Sequence, residues 1–227
     1  MDSPYDDFQA VALATTRGEH RNVVGGLWEE VGSLQIEFMK QQGLAPEHAL
    51  LDVGCGSLRG GVKYVAYLNP GNYWGMDINP SLLDAGYDVE LAAAGLQDRL
   101  PRENLIANGD FILGEIGRKF DFAIALSLFT HVSLNRIREC LERLHSVMKP
   151  GGTLFATYFE LPDGIQSFTP LTHAPAGIVT HGTRDPYHYR VSDLKHAAAG
   201  LPWAVRVIGD WSHPRGQRMI AFVRQPG

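Results

Sequence analysis

Three carboxylates, Asp52, Asp77 and Asp110, lie at or near the ends of three successive runs of strand-forming residues. An acidic side chain at the end of the second strand of an open α/β sheet can accept hydrogen bonds from both hydroxyls of a ribose, and Asp77 has that position. Asp110 is placed to accept a hydrogen bond from an exocyclic amine, while Phe111 and Ile78 offer apolar faces to an adenine ring. The three carboxylates therefore predict a site for a nucleoside.

The turn that follows the first of these runs, GCGSLRGG at residues 54–61, is the second feature that could hold a ligand. Gly54 and Gly56 let the backbone pass close to a bound molecule, because neither carries a Cβ. The dinucleotide fingerprint G-x-G-x-x-G fits this turn only with one extra residue. Asp52 could accept a hydrogen bond from an ammonium but would repel a pyrophosphate. The turn and the carboxylates together predict a ligand that has an ammonium, a ribose and an adenine but no phosphate.

Strands and helices must alternate along the chain to position these groups. Seven runs read as strands, namely ALLDV, NYWGMDI, NLIANGDF, FDFAIAL, GTLFATYF, AVRVIGD and RMIAFVR. Residues 134–148 have helical period and end at the stop signal KPGG, residues 149–152. This alternation predicts right-handed crossovers and a mainly parallel sheet. The short link GDWSHPRGQ between the last two strands predicts an antiparallel hairpin at the sheet edge.

The composition is that of an ordinary globular protein, with 227 residues, 44% hydrophobic residues and 20% charged residues. The net charge of -5 argues against nucleic-acid binding, which needs clustered Lys and Arg. Cys55 and Cys140 are the two cysteines, so no disulfide framework is implied. The acidic start MDSPYDDFQA is unlike a signal peptide, and no apolar run could span a bilayer. These features predict a cytoplasmic protein that binds neither nucleic acid nor membrane.

Five segments resemble, in order and spacing, the sequential motifs of class I S-adenosylmethionine-dependent methyltransferases: LLDVGCGSLRGG, YWGMDIN, NGDF, FDFAIALSLFTHVS and VMKPGGTLFATYFE. The nearest relatives by this resemblance, which covers roughly residues 28–224, are bacterial small-molecule and polysaccharide O-methyltransferases. It implies an α/β, Rossmann-like, seven-stranded, mostly parallel sheet with helices on both faces and an antiparallel C-terminal edge strand. It also implies an N-terminal helical extension, residues 1–45, that closes the cofactor pocket. Residues 46–227 would form the methyltransferase domain, with a lid-like insertion at about 160–191.

The resemblance implies S-adenosylmethionine as the cofactor and a set of residues that bind it. Asp52, Gly54 and Gly56 would border the methionine moiety, Asp77 would bind the ribose, and Asp110 with Phe111 would contact adenine. The usual third glycine of the loop is replaced by Leu58, which departs from the pattern. The remaining predicted cofactor residues are Cys55, Ser57, Arg59, Ile78 and Ser127, and Trp28 and Gly32 are further candidates.

Methyl transfer to a hydroxyl needs a base, because the hydroxyl must lose its proton. His131 in SLFTHVS follows the fourth predicted strand, where this fold places groups that face cofactor and substrate, and it is the candidate catalytic residue. The alternative is a histidine at a helix start that hydrogen-bonds the backbone and does no chemistry. The motif leaves both interpretations open.

The long connection at about 160–191 is the candidate acceptor lid. Its histidines and tyrosines suit a hydroxylated acceptor, and the candidate substrate residues are His173, His181, Tyr187, His188 and Tyr189. The alternative is a surface loop that packs its tyrosines and leaves its histidines in water. A divalent metal is conceivable, but these histidines lack tight ligand spacing and a hard cation prefers carboxylates, so no metal is predicted.

The favoured hypothesis is a methyltransferase that modifies a hydroxyl of a sugar or glycoside, such as a polysaccharide precursor. An alternative is O- or N-methylation of a phenol, a polyketide or another natural product. An alternative of another class is a catalytically inactive subunit that binds the cofactor beside a partner. The segment 13–44 could pair two subunits in a homodimer, although a helix that covers the cofactor explains the same pattern.

Overall fold

The computed structural model describes residues 3–114 and 116–226. The chain forms two compact units, residues 3–109 and 110–226, and each combines strands with helices. Among the described residues, no helix has the length and apolar character needed to cross a membrane.

The first unit contains three parallel strands and the helices that connect them. Its elements are α1 (Phe8–Thr16), α2 (His20–Val23), α3 (Trp28–Gln41), β1 (Leu50–Val53), α4 (Gly61–Tyr67), β2 (Tyr73–Asp77), α5 (Pro80–Ala85), a π-helical turn (Gly86–Leu91), α6 (Ala92–Ala94) and β3 (Leu105–Ala107). The strands lie in the order β3-β2-β1, with Asp52 opposite Gly75. Every residue of β1 is buried, as expected for a parallel strand covered on both faces. The glycine turn therefore follows β1, and Asp77 is the last residue of the adjacent strand β2.

The second unit contains a mixed set of strands and two main helices. Its elements are β4 (Phe120–Ala125), α7 (Leu134–Leu144), β5 (Met148–Glu160), β6 (Leu171–His173), β7 (Ile178–Thr180), β8 (His188–Tyr189), α8 (Val191–Ala198), β9 (Trp203–Gly209) and β10 (Arg218–Arg224). The strands lie in the order β4-β5-β10-β9, and the end of β5 also pairs with β8. The hairpin predicted for the last two strands is confirmed, with β10 antiparallel to both β5 and β9. It is β9, the first strand of that hairpin, that forms the edge.

The helix predicted for residues 134–148 ends earlier than expected, at Leu144. Met148 opens β5 and pairs with Phe120, while the amide of Phe120 donates to the carbonyl of Val147 at 2.9 Å. The KPGG segment is part of this long strand, beside a register irregularity between Phe120 and Phe122. Pairing with β4 therefore outweighs the turn signal. The strands β6, β7 and β8 were not predicted, because each has only two or three residues.

Candidate functional site

The glycine turn of the first unit has the left-handed backbone that such a loop requires. Gly54 and Gly56 have φ values of +77° and +54°. Leu58, at the position where a third glycine is usual, also has a positive φ, +66°, which is costly for a side chain with a Cβ. Its side chain is fully buried, and this burial offsets the backbone cost. The loop therefore keeps the backbone conformation of a glycine loop despite the substitution.

The segment before α3 and α3 itself pack closely against this turn. A Cβ at Gly56 would lie 2.6 Å from Cγ1 of Val24, and one at Gly60 would lie 2.4 Å from Oε1 of Gln35. Arg59 donates from Nη1 to the carbonyls of Val24 and Gly26, both at 2.9 Å. Arg59, predicted to bind the cofactor, thus fastens the turn to the N-terminal segment.

Asp77 lies at the end of β2, where a ribose-binding carboxylate was predicted. Its side chain is half-buried, and Oδ2 accepts the amide N–H of Gly56 at 2.8 Å while Oδ1 accepts that of Asn79 at 2.9 Å. Burial raises the pKa of this carboxyl, and the backbone amides partly counter the shift. Each carboxylate oxygen has a second lone pair, so Asp77 can still accept a ribose hydroxyl. Ile78, the next residue, is 36% exposed and offers the apolar surface predicted for it.

Asp52 lies in the interior behind the glycine turn. It is 4% exposed and accepts a hydrogen bond from Oη of Tyr73 at 2.9 Å. Burial raises the pKa of Asp52 to about 7, so the carboxyl exchanges a proton near neutral pH. A Cβ at Gly61 would lie 2.7 Å from that Tyr73 oxygen, which requires a glycine there. Asp52 therefore supports the glycine turn from the protein interior.

The other two residues predicted from the turn are also buried. Burial raises the pKa of the Cys55 thiol well above its usual range, so this cysteine remains a thiol. A Cβ at Gly75 would lie 2.8 Å from its sulfur, which shows how tightly it is packed. Ser57 is fully buried, and its hydroxyl donates to the carbonyl of His20 at 3.4 Å.

A hydrogen-bonded cluster around the buried Glu90, beside the turn, was not predicted from the sequence. Glu90, on the π-helical turn, accepts hydrogen bonds from His20 Nε2 and from Nε and Nη2 of Arg21, each at 2.7 Å. Burial disfavours ionisation of Glu90, but these hydrogen bonds outweigh it and lower the pKa. The Arg21 guanidinium also lies 4.7 Å from the ring centroid of Trp28. The cluster joins residues far apart in the chain, so local patterns could not reveal it.

Two predicted adenine contacts open the second unit. Asp110 is exposed, whereas Phe111 is 5% exposed and has a positive φ of +55°. The guanidinium of Arg136 on α7 lies 5.1 Å from the Phe111 ring centroid and 3.5 Å from Oδ1 of Asp110. Arg136 thus covers one face of the ring that was predicted to pack on adenine.

Ser127, the last predicted cofactor residue, lies in a turn fixed by a buried polar network. Its φ is +60°, its amide donates to Oγ1 of Thr157 at 2.7 Å, and its hydroxyl donates to Oε1 of Gln217 at 3.1 Å. The Thr157 hydroxyl donates to the same Gln217 oxygen at 2.7 Å. Gln217 is 3% exposed and was missed, because its segment reads as an ordinary hairpin turn.

His131 lies four residues beyond Ser127 and forms a close pair with Asp185. Its Nδ1 lies 2.6 Å from Oδ1 of Asp185, and the side chains are 28% and 5% exposed. Asp185 holds the Nδ1–H tautomer, so Nε2 is the ring atom that could accept a proton from a ligand. The turn is tied to the lid segment twice more, because the Tyr187 amide donates to Thr130 and the Tyr189 hydroxyl to Val132. A histidine oriented by a buried carboxylate is an arrangement suited to general-base catalysis.

Two of the predicted acceptor histidines instead form a chain of hydrogen bonds inside the lid segment. His173 Nε2 and His188 Nδ1 both lie 2.8 Å from Oγ1 of Thr180, and His188 Nε2 donates to the carbonyl of Ser167 at 2.9 Å. Burial, with the nearby His188, lowers the pKa of His173 to about 4. Both nitrogens of the buried His188 are occupied, which assigns it a structural role.

The three remaining acceptor candidates are placed differently. Tyr187 and Tyr189 are buried and stack with ring centroids 6.0 Å apart. His181 is half-buried, and its amide donates to the carbonyl of Pro186 at 2.8 Å, closing the loop that contains Asp185. Burial and the charge of Arg184 lower the pKa of His181. In the described residues, no three His, Cys, Asp or Glu side chains are grouped so that they could hold a metal ion.

Comparisons with known proteins agree with this architecture. Residues 51–154 match the family model described as a methyltransferase domain. The magnesium protoporphyrin IX methyltransferase of Synechocystis PCC 6803, solved with bound S-adenosylmethionine, is similar in fold, with a TM-score of 0.65 and 14% identity over 97% of this chain and 95% of the other. The CcbJ methyltransferase of Streptomyces caelestis (TM-score 0.64, 13% identity) covers 86% of this chain with 89% of its own. The pyocyanin biosynthetic protein PhzM (TM-score 0.65, 14% identity) covers 96% of this chain with 62% of its own. Residues 51–154 thus resemble a methyltransferase domain, and the chain has the mixed α/β, Rossmann-like fold of these solved structures, as the order of its motifs predicted.

Proposed function

We propose that this protein transfers a methyl group from S-adenosylmethionine to a hydroxyl of a small molecule, with His131 as the general base. The observation that carries the proposal is the 2.6 Å contact between His131 Nδ1 and the buried carboxylate of Asp185, 54 residues further along the chain. A histidine that served only as a helix-start hydrogen-bonding group would not need a buried acid from a distant loop. Such an acid orients an imidazole and stabilises the cation that forms when it takes a proton.

The residues of the glycine turn fit the cofactor. The support for this is the left-handed backbone of Gly54 and Gly56 in the turn, and the carboxylate of Asp77 at the end of β2, which supplies acceptors for ribose hydroxyls. When bound, S-adenosylmethionine supplies a methyl group that its positively charged sulfur has already activated.

The chain's own contribution is alignment and proton removal. The Asp185 carboxylate contacts Nδ1 of His131 and orients its ring, and Nε2 is the nitrogen assigned to the hydroxyl of the acceptor. Nε2 would take the proton of the acceptor hydroxyl, and the Asp185 carboxylate would stabilise the resulting imidazolium; bound S-adenosylmethionine would supply the methyl group and leave as S-adenosylhomocysteine. Thr157 and Gln217 fix the turn at Ser127 on which His131 is carried. This preorganisation keeps the base within reach of the attacking oxygen.

The acceptor is proposed at the level of a hydroxylated small molecule. The expectation of a sugar relied on polar groups of the lid segment, and three of those groups have internal partners. His173 and His188 bond Thr180, and the Tyr189 hydroxyl donates to Val132. A sugar acceptor remains a prediction, but fewer polar side chains of the lid segment support it than the sequence suggested.

The test is methyl transfer by the wild-type protein, His131→Ala and His131→Gln, with a panel of sugars, phenols and amines. The proposal predicts product from hydroxyl acceptors and a loss in kcat of about 100-fold or more in both variants, with S-adenosylhomocysteine affinity retained. His145→Ala is a matched control, because His145 is a half-buried histidine at the end of α7 whose Nδ1 contacts the backbone carbonyl of Glu142. Full activity of His131→Ala, or product from amines alone, would contradict the proposal.

A further inference from the structure

Residues 20–26, which we call the N-terminal arm, lie directly against the glycine turn. A Cβ at Gly56 would lie 2.6 Å from Cγ1 of Val24, and Arg59 donates from Nη1 to two backbone carbonyls of the arm at 2.9 Å. Gly56 is also the residue whose amide N–H donates to Asp77 at 2.8 Å. The arm therefore borders the residues to which the cofactor is assigned.

A second set of contacts joins the arm to the end of β2. The Tyr5 hydroxyl donates to the carbonyl of Val23 at 3.2 Å, and Nδ2 of the buried Asn79 donates to the carbonyl of Tyr5 at 3.0 Å. The amide of Asn79 in turn donates to Oδ1 of Asp77 at 2.9 Å. The arm is thus connected both to the turn and to the ribose carboxylate, as a segment that covers a bound nucleoside must be.

The arm has little structure of its own to hold it in this place. Its helix, α2, has four residues, and the N-cap residue Glu19 makes no side-chain cap hydrogen bond. A helix this short is not stable by itself. Gly25 and Gly26, with φ values of +88° and +61°, separate the arm from α3 and give its backbone rotational freedom. The position of the arm therefore depends on side-chain contacts with the rest of the unit.

Glu90 supplies the strongest of these contacts, because its buried carboxylate binds two side chains of the arm. It accepts hydrogen bonds from His20 Nε2 and from two nitrogens of Arg21, each at 2.7 Å. The π-helical turn that carries Glu90 itself packs on the glycine turn, since a Cβ at Gly86 would lie 2.6 Å from Cγ of Leu58. Glu90 therefore fastens the arm to an element that rests on the same glycine turn.

We propose that Glu90 is a positioning residue that holds the N-terminal arm over the bound cofactor and so controls how fast the cofactor enters and leaves. The inference rests on the cofactor assignment of the proposed function, and not on its base or its acceptor. The Glu90 contacts form both with and without the cofactor, so they slow association and dissociation alike. They contribute little to affinity, because a contact changes affinity only where it differs between the free and the bound state.

The experiment compares the wild-type protein with Glu90→Gln, Arg21→Ala and the control Glu37→Gln, which removes an exposed ion pair with Lys40. Stopped-flow mixing measures the association and dissociation rates of S-adenosylhomocysteine, and calorimetry measures its Kd. Hydrogen exchange over residues 20–26 reports the opening of the arm. We expect Glu90→Gln to raise both rates about tenfold and to speed hydrogen exchange in the arm, with Kd changed by less than about threefold. Arg21→Ala should raise both rates by about threefold, because that side chain is half exposed, and Glu37→Gln should alter neither.

Unchanged rates in Glu90→Gln would overturn the inference. A higher Kd that comes from faster dissociation alone would also overturn it, because that result indicates a distorted site and not a released arm. Should Glu90→Gln fail to fold, Arg21→Ala decides the question by the same criteria.

The outcomes also separate this inference from the proposed function. No binding of S-adenosylhomocysteine to the wild-type protein would contradict the cofactor assignment itself, whereas binding with unaltered rates in the variants would contradict the role of Glu90 alone. The expected rates without methylation of any hydroxyl would uphold the inference and contradict the proposed reaction.

Discussion

Replacing Asp185 with Asn removes the charge that orients His131 and leaves the shape of the side chain. The carboxylate is 5% exposed and its Oδ1 lies 2.6 Å from Nδ1 of His131, so solvent screens the contact little. A hydrogen bond to a charged group contributes about 1.5 to 3 kcal/mol. If that contribution is made when the imidazole becomes positively charged, Asp185→Asn should lower kcat by about 10- to 150-fold. The affinity for S-adenosylhomocysteine should stay as in the wild-type protein.

The assay is methyl transfer at saturating cofactor, measured for the single variants Asp185→Asn and His131→Ala and for the double variant. Because Asp185 acts through His131, the Asp185→Asn change should have almost no further effect in the His131→Ala background. Asp163→Asn is the matched control, since Asp163 is an exposed carboxylate of the same segment. An equal loss of kcat from Asp185→Asn in both backgrounds, or a loss confined to thermal stability, would refute the assignment.

Three further changes test other parts of the structure. Asp77→Ala should weaken S-adenosylhomocysteine binding by about 1.5 to 3 kcal/mol, as for lost hydrogen bonds to a charged group, and calorimetric titration measures it; unchanged affinity would remove the ribose assignment. Asp52 has a folded pKa of about 7 against 3.8 for the ordinary group, so its stabilising contribution is present below about pH 4 and is lost as the pH rises through about 7. Thermal unfolding is therefore measured at pH 5 and at pH 8. Between these two pH values the wild-type protein should lose more stability than Asp52→Asn, and equal losses would contradict the burial argument. Gln217→Leu should lower the unfolding free energy by about 1 to 3 kcal/mol in urea, because the buried Thr157 hydroxyl loses its acceptor, while the exposed Gln225→Leu should change it little.

The features that the sequence revealed are those that local patterns determine. The buried run at β1, the glycine turn and the acid at the end of β2 each depend on neighbours within a few residues, and all were found where predicted. The hairpin of β9 and β10 follows from a short link between two apolar runs. The early end of α7 could not be read in this way, because strand pairing between Met148 and Phe120 overrides the local helical period.

The features that were missed depend on contacts between distant residues. His131 was a candidate from its motif, whereas its partner Asp185, from a loop 54 residues away, was not predicted. The buried Glu90 pairs with His20 and Arg21 in the same long-range manner. The roles of His173 and His188 could not be predicted either, because a histidine that binds a ligand and a histidine that hydrogen-bonds a buried threonine look the same in a sequence. Hydrogen-bond partners, which only the fold supplies, separate the two cases.

The most direct test of the account is calorimetric titration of the wild-type protein with S-adenosylhomocysteine, with NAD as the control. The order of the motifs and the match of residues 51–154 to a methyltransferase domain predict binding of S-adenosylhomocysteine in the micromolar range and no binding of NAD. Binding of NAD, or of neither compound, would contradict the assignment of the cofactor site.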